Sequence, residues 1–177
     1  MIEIYTDGSC LGNGKETNIG GFGIAVLIPE QRNLNGFRLD YYESVKAYDT
    51  TNNRMELEAL IKGIKLALSK YKDYKCIIYL DSLYCVNICQ DWIWKWAENG
   101  WLNSKQKTVE NIDLVYKLYE ILTEKDFPNY IIKKVPGHAN IVGNELADAL
   151  AKNDKAKFVK ILQSHEEVFD FTKFLDF

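Results

Sequence analysis

Four acidic residues stand where folding alone does not favour a carboxylate. Asp7 closes a short run before Gly8-Ser9, and Asp81 directly follows Cys76-Ile77-Ile78-Tyr79-Leu80. Glu56 sits on the edge of the apolar series Leu57, Leu60 and Ile64, and Asp148 shares a segment with Leu146, Ala149 and Leu150, three residues after Glu145. Each has an ordinary use when taken singly. Asp7 suits a turn, Asp81 a helix N-cap and Glu56 a helix start, while Asp148 suits solvent. Taken together they could do more, because ligand sites in open α/β sheets collect at the carboxyl ends of strands. Converging carboxylates raise one another's pKa unless cations neutralise them. Oxygen donors without His or Cys suit magnesium or manganese rather than zinc. Two such ions about 3.5–4 Å apart suit in-line phosphoryl displacement, one activating water and the other stabilising the leaving oxygen.

The elements that must position these acids follow from the apolar pattern. Ile2 to Asp7, Gly20 to Ile28 and Phe37 to Tyr42 read as strands, and their short connections predict an antiparallel meander. Asn53 to Ser69 carries Leu57, Leu60, Ile61, Ile64 and Leu68 at helical spacing. Lys75 to Leu80 reads as a strand covered on both faces. Helical stretches follow around Leu83 to Ala97 and Val109 to Lys125, then a strand at Tyr130 to Val135 and a helix from near Val142 past Ala151. The expected fold is α/β: a mixed five-stranded sheet, three antiparallel strands then parallel additions, with helices on both faces.

Composition narrows the class. The 177 residues suit one domain that buries most of its surface. With 11 Gly and 3 Pro the chain is neither collagen-like nor disordered. No apolar run is long enough to span a bilayer and the N-terminus does not read as a secretory signal, so a cytoplasmic protein is expected. Cys10, Cys76, Cys85 and Cys89 form no CxxC pair, which fits free thiols in a reducing compartment. The net charge of −3 lies in the last fourteen residues, where Glu166, Glu167, Asp170 and Asp176 face Lys173 alone. Residues 1–163 are thus a neutral domain and residues 164–177 an acidic, Phe-rich tail, so bulk charge does not announce a nucleic-acid binder. Gly12-Asn13-Gly14-Lys15 invites a phosphate-loop reading, but Ser9 and Glu16 fill the required Gly and Ser/Thr positions and a strand comes next instead of a helix.

Tyr5-Thr6-Asp7-Gly8-Ser9-Cys10-Leu11-Gly12-Asn13, Thr51-Asn52-Asn53-Arg54-Met55-Glu56-Leu57, Asp81-Ser82, Trp92-Ile93, and Gly137-His138-Ala139 with Asn144-Glu145-Leu146-Ala147-Asp148 occur in one order. Together these motifs resemble type 1 ribonuclease H, of the bacterial ribonuclease HI kind, over roughly residues 1–155. The resemblance implies metal ions, magnesium with manganese as substitute, held by Asp7, Glu56, Asp81 and Asp148. It implies hydrolysis of the RNA strand of RNA–DNA hybrids, leaving 3′-hydroxyl and 5′-phosphate ends. His138 would assist proton transfer or product release, and Glu145 could support the ligands from behind. Asn13, Asn53 and the backbone near Cys10 and Met55 would line the minor groove, Thr51 would meet a DNA-strand phosphate and Trp92 a DNA-strand sugar. Trp92 and Trp96 also share a helical face, the usual mark of a core pair, and Asn52-Asn53 suit a helix cap.

Departures from the family's pattern shape further expectations. Leu83 stands where the family often has a base-contacting glutamine, and Asp49 lies close to the expected phosphate pocket. The loop from Gly12 to Gly21 is longer than usual. The stretch Lys95 to Glu110, a basic protrusion in many bacterial members, carries only Lys95, Lys105 and Lys107 against Glu98 and Glu110. Weaker hybrid binding with a shallow salt dependence is expected. The tail ending Asp170-Phe171-Thr172-Lys173-Phe174-Leu175-Asp176-Phe177 suits docking of its phenylalanines on the domain. Its acidic, Phe-terminated tip also resembles the peptide with which single-stranded-DNA-binding proteins recruit replication partners. A monomer is expected. The alternatives are a non-catalytic hybrid-binding or interaction module on the same fold, a detached reverse-transcriptase domain performing the same reaction, and a plain divalent-ion binder.

Overall fold

The computed structural model describes residues 1–13, 18–29, 36–124, 128–137 and 140–165. Five strands form one sheet: β1 (Ile2–Leu11), β2 (Ile19–Pro29), β3 (Phe37–Tyr48), β4 (Cys76–Leu80) and β5 (Tyr130–Lys134), in the order β3-β2-β1-β4-β5. β1 pairs with β2 and β2 with β3 in antiparallel fashion, whereas β4 runs parallel to β1 and β5 parallel to β4. This is the expected mixed sheet.

Alternation along β1 divides the core into two layers. Ile2 and Ile4 face a cluster with Leu57, Leu60 and Ile64 of α1 (Asn52–Leu68), joined by Ile78, Leu80 and residues of α4 (Ile112–Thr123). Tyr5 faces the other way, into a cluster with Leu146, Ala149 and Leu150 of α5 (Val142–Ala151) and Phe158 and Leu162 of α6 (Lys155–Gln163). Helices thus cover both faces. Each fully buried aliphatic side chain contributes about 1.5–3 kcal/mol to holding its layer in place.

Several boundaries differ from expectation, each for a local reason. β1 does not end at Asp7; it continues to Leu11 because Gly20, Gly21 and Gly23 of β2 keep pairing opposite Cys10, Ser9 and Asp7. The expected Gly8-Ser9 turn is therefore strand. β3 likewise runs on to Tyr48. The helical stretch expected around Leu83 to Ala97 is present and continuous, but with a π-helical turn (Ile88–Trp92) between α2 (Leu83–Asn87) and α3 (Ile93–Glu98). α4 starts at Ile112 rather than Val109, since Val109 N–H bonds to Trp101 O and Asn111 adopts a left-handed φ of 55°. After α5 the chain turns at Asn153, φ 53°, so α6 is a separate helix rather than an extension of α5.

All four cysteines are free thiols, Cys76 and Cys85 buried and Cys10 and Cys89 half-buried. Among the described residues no helix is long and apolar enough to cross a membrane. Residues 166–177 lie outside the described residues, and with them the expected docking of the tail's phenylalanines.

Candidate active site

The acids are brought together by backbone contacts that only glycine permits. A methyl group on Gly8 of β1 would overlap the backbone of Met55 and Glu56, so the start of α1 rests directly on the strand and carries Glu56 next to Asp7. Thr51 caps α1, its hydroxyl accepting from Arg54 N–H at 3.3 Å, which leaves Asn52 and Asn53 inside the helix rather than capping it. Asp81 follows the last residue of β4, and the N-cap of α2 is Ser82, whose hydroxyl accepts from Cys85 N–H at 3.3 Å. Asp81 is thereby spared the capping role.

One carboxylate oxygen each from Asp7, Glu56 and Asp81 lies within 4.8 Å of the others. Asp7 and Glu56 are each only 6% exposed. Burial, then the charges of Asp81 and Asp148, push the Asp7 carboxyl up to about 7, despite Lys152 and a backbone hydrogen bond from Gly8 pulling it down. Burial, then Asp7 and Asp81, push Glu56 up to about 9. Among the described residues no ammonium or guanidinium is paired with any of the three.

Asp148 reaches this group from the opposite layer. Methyl groups on Gly21 and Gly23 of β2 would overlap the backbone of Ala147 and Ala151, so these glycines let α5 lie against the sheet. Asp148 does not join the 4.8 Å group. Its Oδ1 is 2.5 Å from Lys152 Nζ and its Oδ2 2.7 Å from Lys157 Nζ, and Lys157 also meets Glu145 at 2.9 Å. Burial opposes ionisation of Asp148, but the hydrogen bonds and charges of the two lysines outweigh it and hold the pKa below the usual range. Asn144, one turn earlier on the same helix, is 4% exposed and buries an Oδ1 with no hydrogen-bond partner among the described residues. His138 lies outside the described residues, but Gly137 beside it is placed: a methyl there would come within 3.1 Å of Asp81 Oδ2.

A family model for RNase H matches residues 1–156. The chain belongs to the ribonuclease H family. It is 34% identical over 176 residues to the ribonuclease H of Orientia tsutsugamushi (strain Boryong), covering 99% of this chain and 92% of that one. Among solved structures it resembles LC9-RNase H1, described as a type 1 RNase H with the type 2 active-site motif (TM-score 0.66, 29% identity, 86% of this chain and 70% of that one). It also resembles LC11-RNase H1 in complex with RNA/DNA hybrid (TM-score 0.50, 25% identity, 86% of this chain and 98% of that one). The chain is therefore a nuclease of a family that generally depends on divalent metal.

The residues expected to contact substrate are placed as follows. Asn13, Thr51, Asn53, Glu110 and Asn111 line a depression of about 510 Å³, and Asn13 Oδ1 accepts from Asn52 N–H at 3.2 Å. Cys10 points its thiol at Thr50 O, 3.5 Å away. Met55 is 1% exposed as a whole residue and belongs to the core. Trp92 is half-buried and packs on Trp96 and Tyr84, with ring centroids 5.8 Å and 6.2 Å away. Leu83 is 58% exposed at the start of α2.

Sequence reasoning missed Lys152, Lys157 and the pair Arg54–Asp113. Lys152 was within reach, since a lysine four residues after an aspartate on a helix is a standard pair. Lys157 lies beyond a turn that no periodicity marks. Arg54 donates two hydrogen bonds to Asp113, at 2.9 and 2.7 Å, across 59 residues of sequence.

Proposed function

We propose that the chain is an endonuclease that hydrolyses the RNA strand of RNA–DNA hybrids, leaving 3′-hydroxyl and 5′-phosphate ends. The observation that carries this reading is the buried convergence of Asp7, Glu56 and Asp81, unneutralised, with Asp148 facing it from α5. A cluster of that kind costs folding energy and is hard to account for unless a cation completes it. The donor set, carboxylates alone, fits hard divalent ions such as magnesium, with manganese as substitute. The relative LC11-RNase H1, solved with RNA/DNA hybrid, supports the substrate class.

When bound, two divalent ions would supply positive charge at the attacking water and at the leaving oxygen. Asp7 and Asp81 would hold both, with Glu56 completing one position and Asp148 the other. Burial of Asp7 and Glu56 fixes these two against the sheet, so little reorganisation is needed there as charge develops. His138 would take part in proton transfer or product release, and Glu145 would steady the Asp148 side. Asn13, Asn53 and the backbone near Cys10 suit the 2′-hydroxyls of the RNA strand, which both donate and accept. Thr51 would meet a DNA-strand phosphate, and Trp92 would offer its open ring edge to a DNA-strand sugar. The free thiols fit a reducing compartment, the cytoplasm, as the place of action.

The test is cleavage of an end-labelled RNA strand hybridised to DNA, with magnesium or manganese and with a chelator, beside single-stranded RNA, RNA duplex and DNA duplex. Metal-dependent cutting confined to the hybrid is the expected result. Folded protein that binds hybrid without cutting it under either metal would make the chain a binding module instead.

A further inference from the structure

Lys157 lies one residue past the span that the family model matches, on a helix of its own. Its Nζ bridges two acids of α5, 2.7 Å from Asp148 Oδ2 and 2.9 Å from Glu145 Oε2. Lys152 takes the other oxygen of Asp148, so both are committed to ammonium groups while that side chain is only 13% exposed. α6 is held firmly enough to deliver this charge. Asp154 caps it, accepting from Lys157 N–H at 2.9 Å, and Phe158 and Leu162, 2% and 4% exposed, pack against Leu146, Ala149 and Leu150.

We propose that Lys157 is a positioning residue that seats Asp148 and Glu145 beside the triad and competes with a divalent ion for Asp148. The inference rests on the proposed role of the four acids as metal ligands. Its basis is geometry: both oxygens of Asp148 are taken by ammonium groups, whereas Asp7, Glu56 and Asp81 have none paired to them among the described residues. An ion on the Asp148 side must therefore displace an ammonium group, and is held more weakly than an ion among Asp7, Glu56 and Asp81. Lys157, about one-third exposed and on a flexible four-carbon stem, can withdraw to solvent.

The measurement is Mn²⁺ binding to the full chain without substrate, by calorimetry and by the spin-resonance signal of free Mn²⁺. Wild type is expected to bind one ion more strongly than a second. Lys157→Met should strengthen the weaker binding about fivefold while leaving the stronger within about twofold. Lys157→Arg, which keeps the charge, should restore the wild-type pattern. Lys160→Met removes the same charge one turn along the same helix and should change neither. Weaker binding unmoved by Lys157→Met, or strengthened equally by Lys160→Met, overturns the competition and leaves the metal assignment standing. Loss of the stronger binding from wild type overturns that assignment, and the inference with it.

Discussion

Asp7, Glu56 and Asp81 crowd together at the end of the sheet with no cation paired to them among the described residues, whereas Asp148, on the facing helix, ends on two lysines. The four belong to one proposed site, yet Asp7 and Glu56 are pushed one way in titration and Asp148 the other. Burial and mutual repulsion raise Asp7 to about 7 and Glu56 to about 9. Asp148 also feels burial, but Lys152 and Lys157 bring it below its usual value. The difference teaches that the protein neutralises only part of its acid. The strand-and-α1 side stores unfavourable charge for something to bind, while the α5 side holds a ready carboxylate in place by borrowing lysines.

The largest break comes from removing a charge on the unneutralised side. Asp7→Asn should lower hybrid cleavage at least about 10³-fold, since a lost ligand forfeits several kcal/mol of transition-state stabilisation. The same substitution should raise the melting temperature of the metal-free protein, because it relieves the repulsion that Glu56 and Asp81 meet. Turnover near wild type would refute the site, and a lowered melting temperature would show that Asp7 is not in repulsion.

A second break uses pH and metal together. A carboxyl whose folded pKa is raised stabilises the fold while protonated, and that contribution is lost as pH climbs from the unfolded value to the folded one. For Asp7 the window runs from 3.8 to about 7, and for Glu56 from 4.5 to about 9. Metal-free protein should therefore melt lower at pH 9 than at pH 5. Magnesium at about a hundred times its dissociation constant should return about 5–10 °C at the upper end and far less at pH 5, where protons compete for the ligands. Differential scanning calorimetry with and without chelator checks this. Equal magnesium effects at the two pH values would mean that the ion binds elsewhere.

Much of this contrast was legible in the residues themselves. Apolar alternation and helical spacing located the five strands and the helix bearing Glu56, and the placement of Asp7 and Asp81 after apolar runs marked them as acids at the ends of strands. What the pattern hid was cross-chain geometry. Gly8 looks like a turn residue, yet it lies within β1 because α1 must rest on it. Gly21 and Gly23 similarly admit α5, a packing need that no one-dimensional period records. Lys157 reaches Asp148 only because a turn at Asn153 folds α6 back over α5, so only Lys152, at helical spacing, could have been paired in advance.

Asp113 supplies a third acid against which to scale the other two. It is paired with Arg54 at 2.7 Å, but it is 53% exposed and outside the carboxylate cluster. The hydrogen bonds from Arg54, helped by its charge, lower its pKa to about 2 against the opposition of burial. A depressed carboxyl stabilises the fold above its unfolded value, 3.8, and loses that contribution as pH falls through about 2. Solvent screening at this exposure keeps the pair below about 1 kcal/mol, so Asp113→Asn should lower the melting temperature at pH 7 by only about 1–3 °C. The loss should shrink in 1 M salt and vanish near pH 2. Its sign is the opposite of that expected for Asp7→Asn in metal-free protein: an acid that already has its cation stabilises the fold, and one still waiting for a cation does not. If both substitutions lowered the melting temperature alike, the triad would be an ordinary structural cluster, and its burial would need another cause.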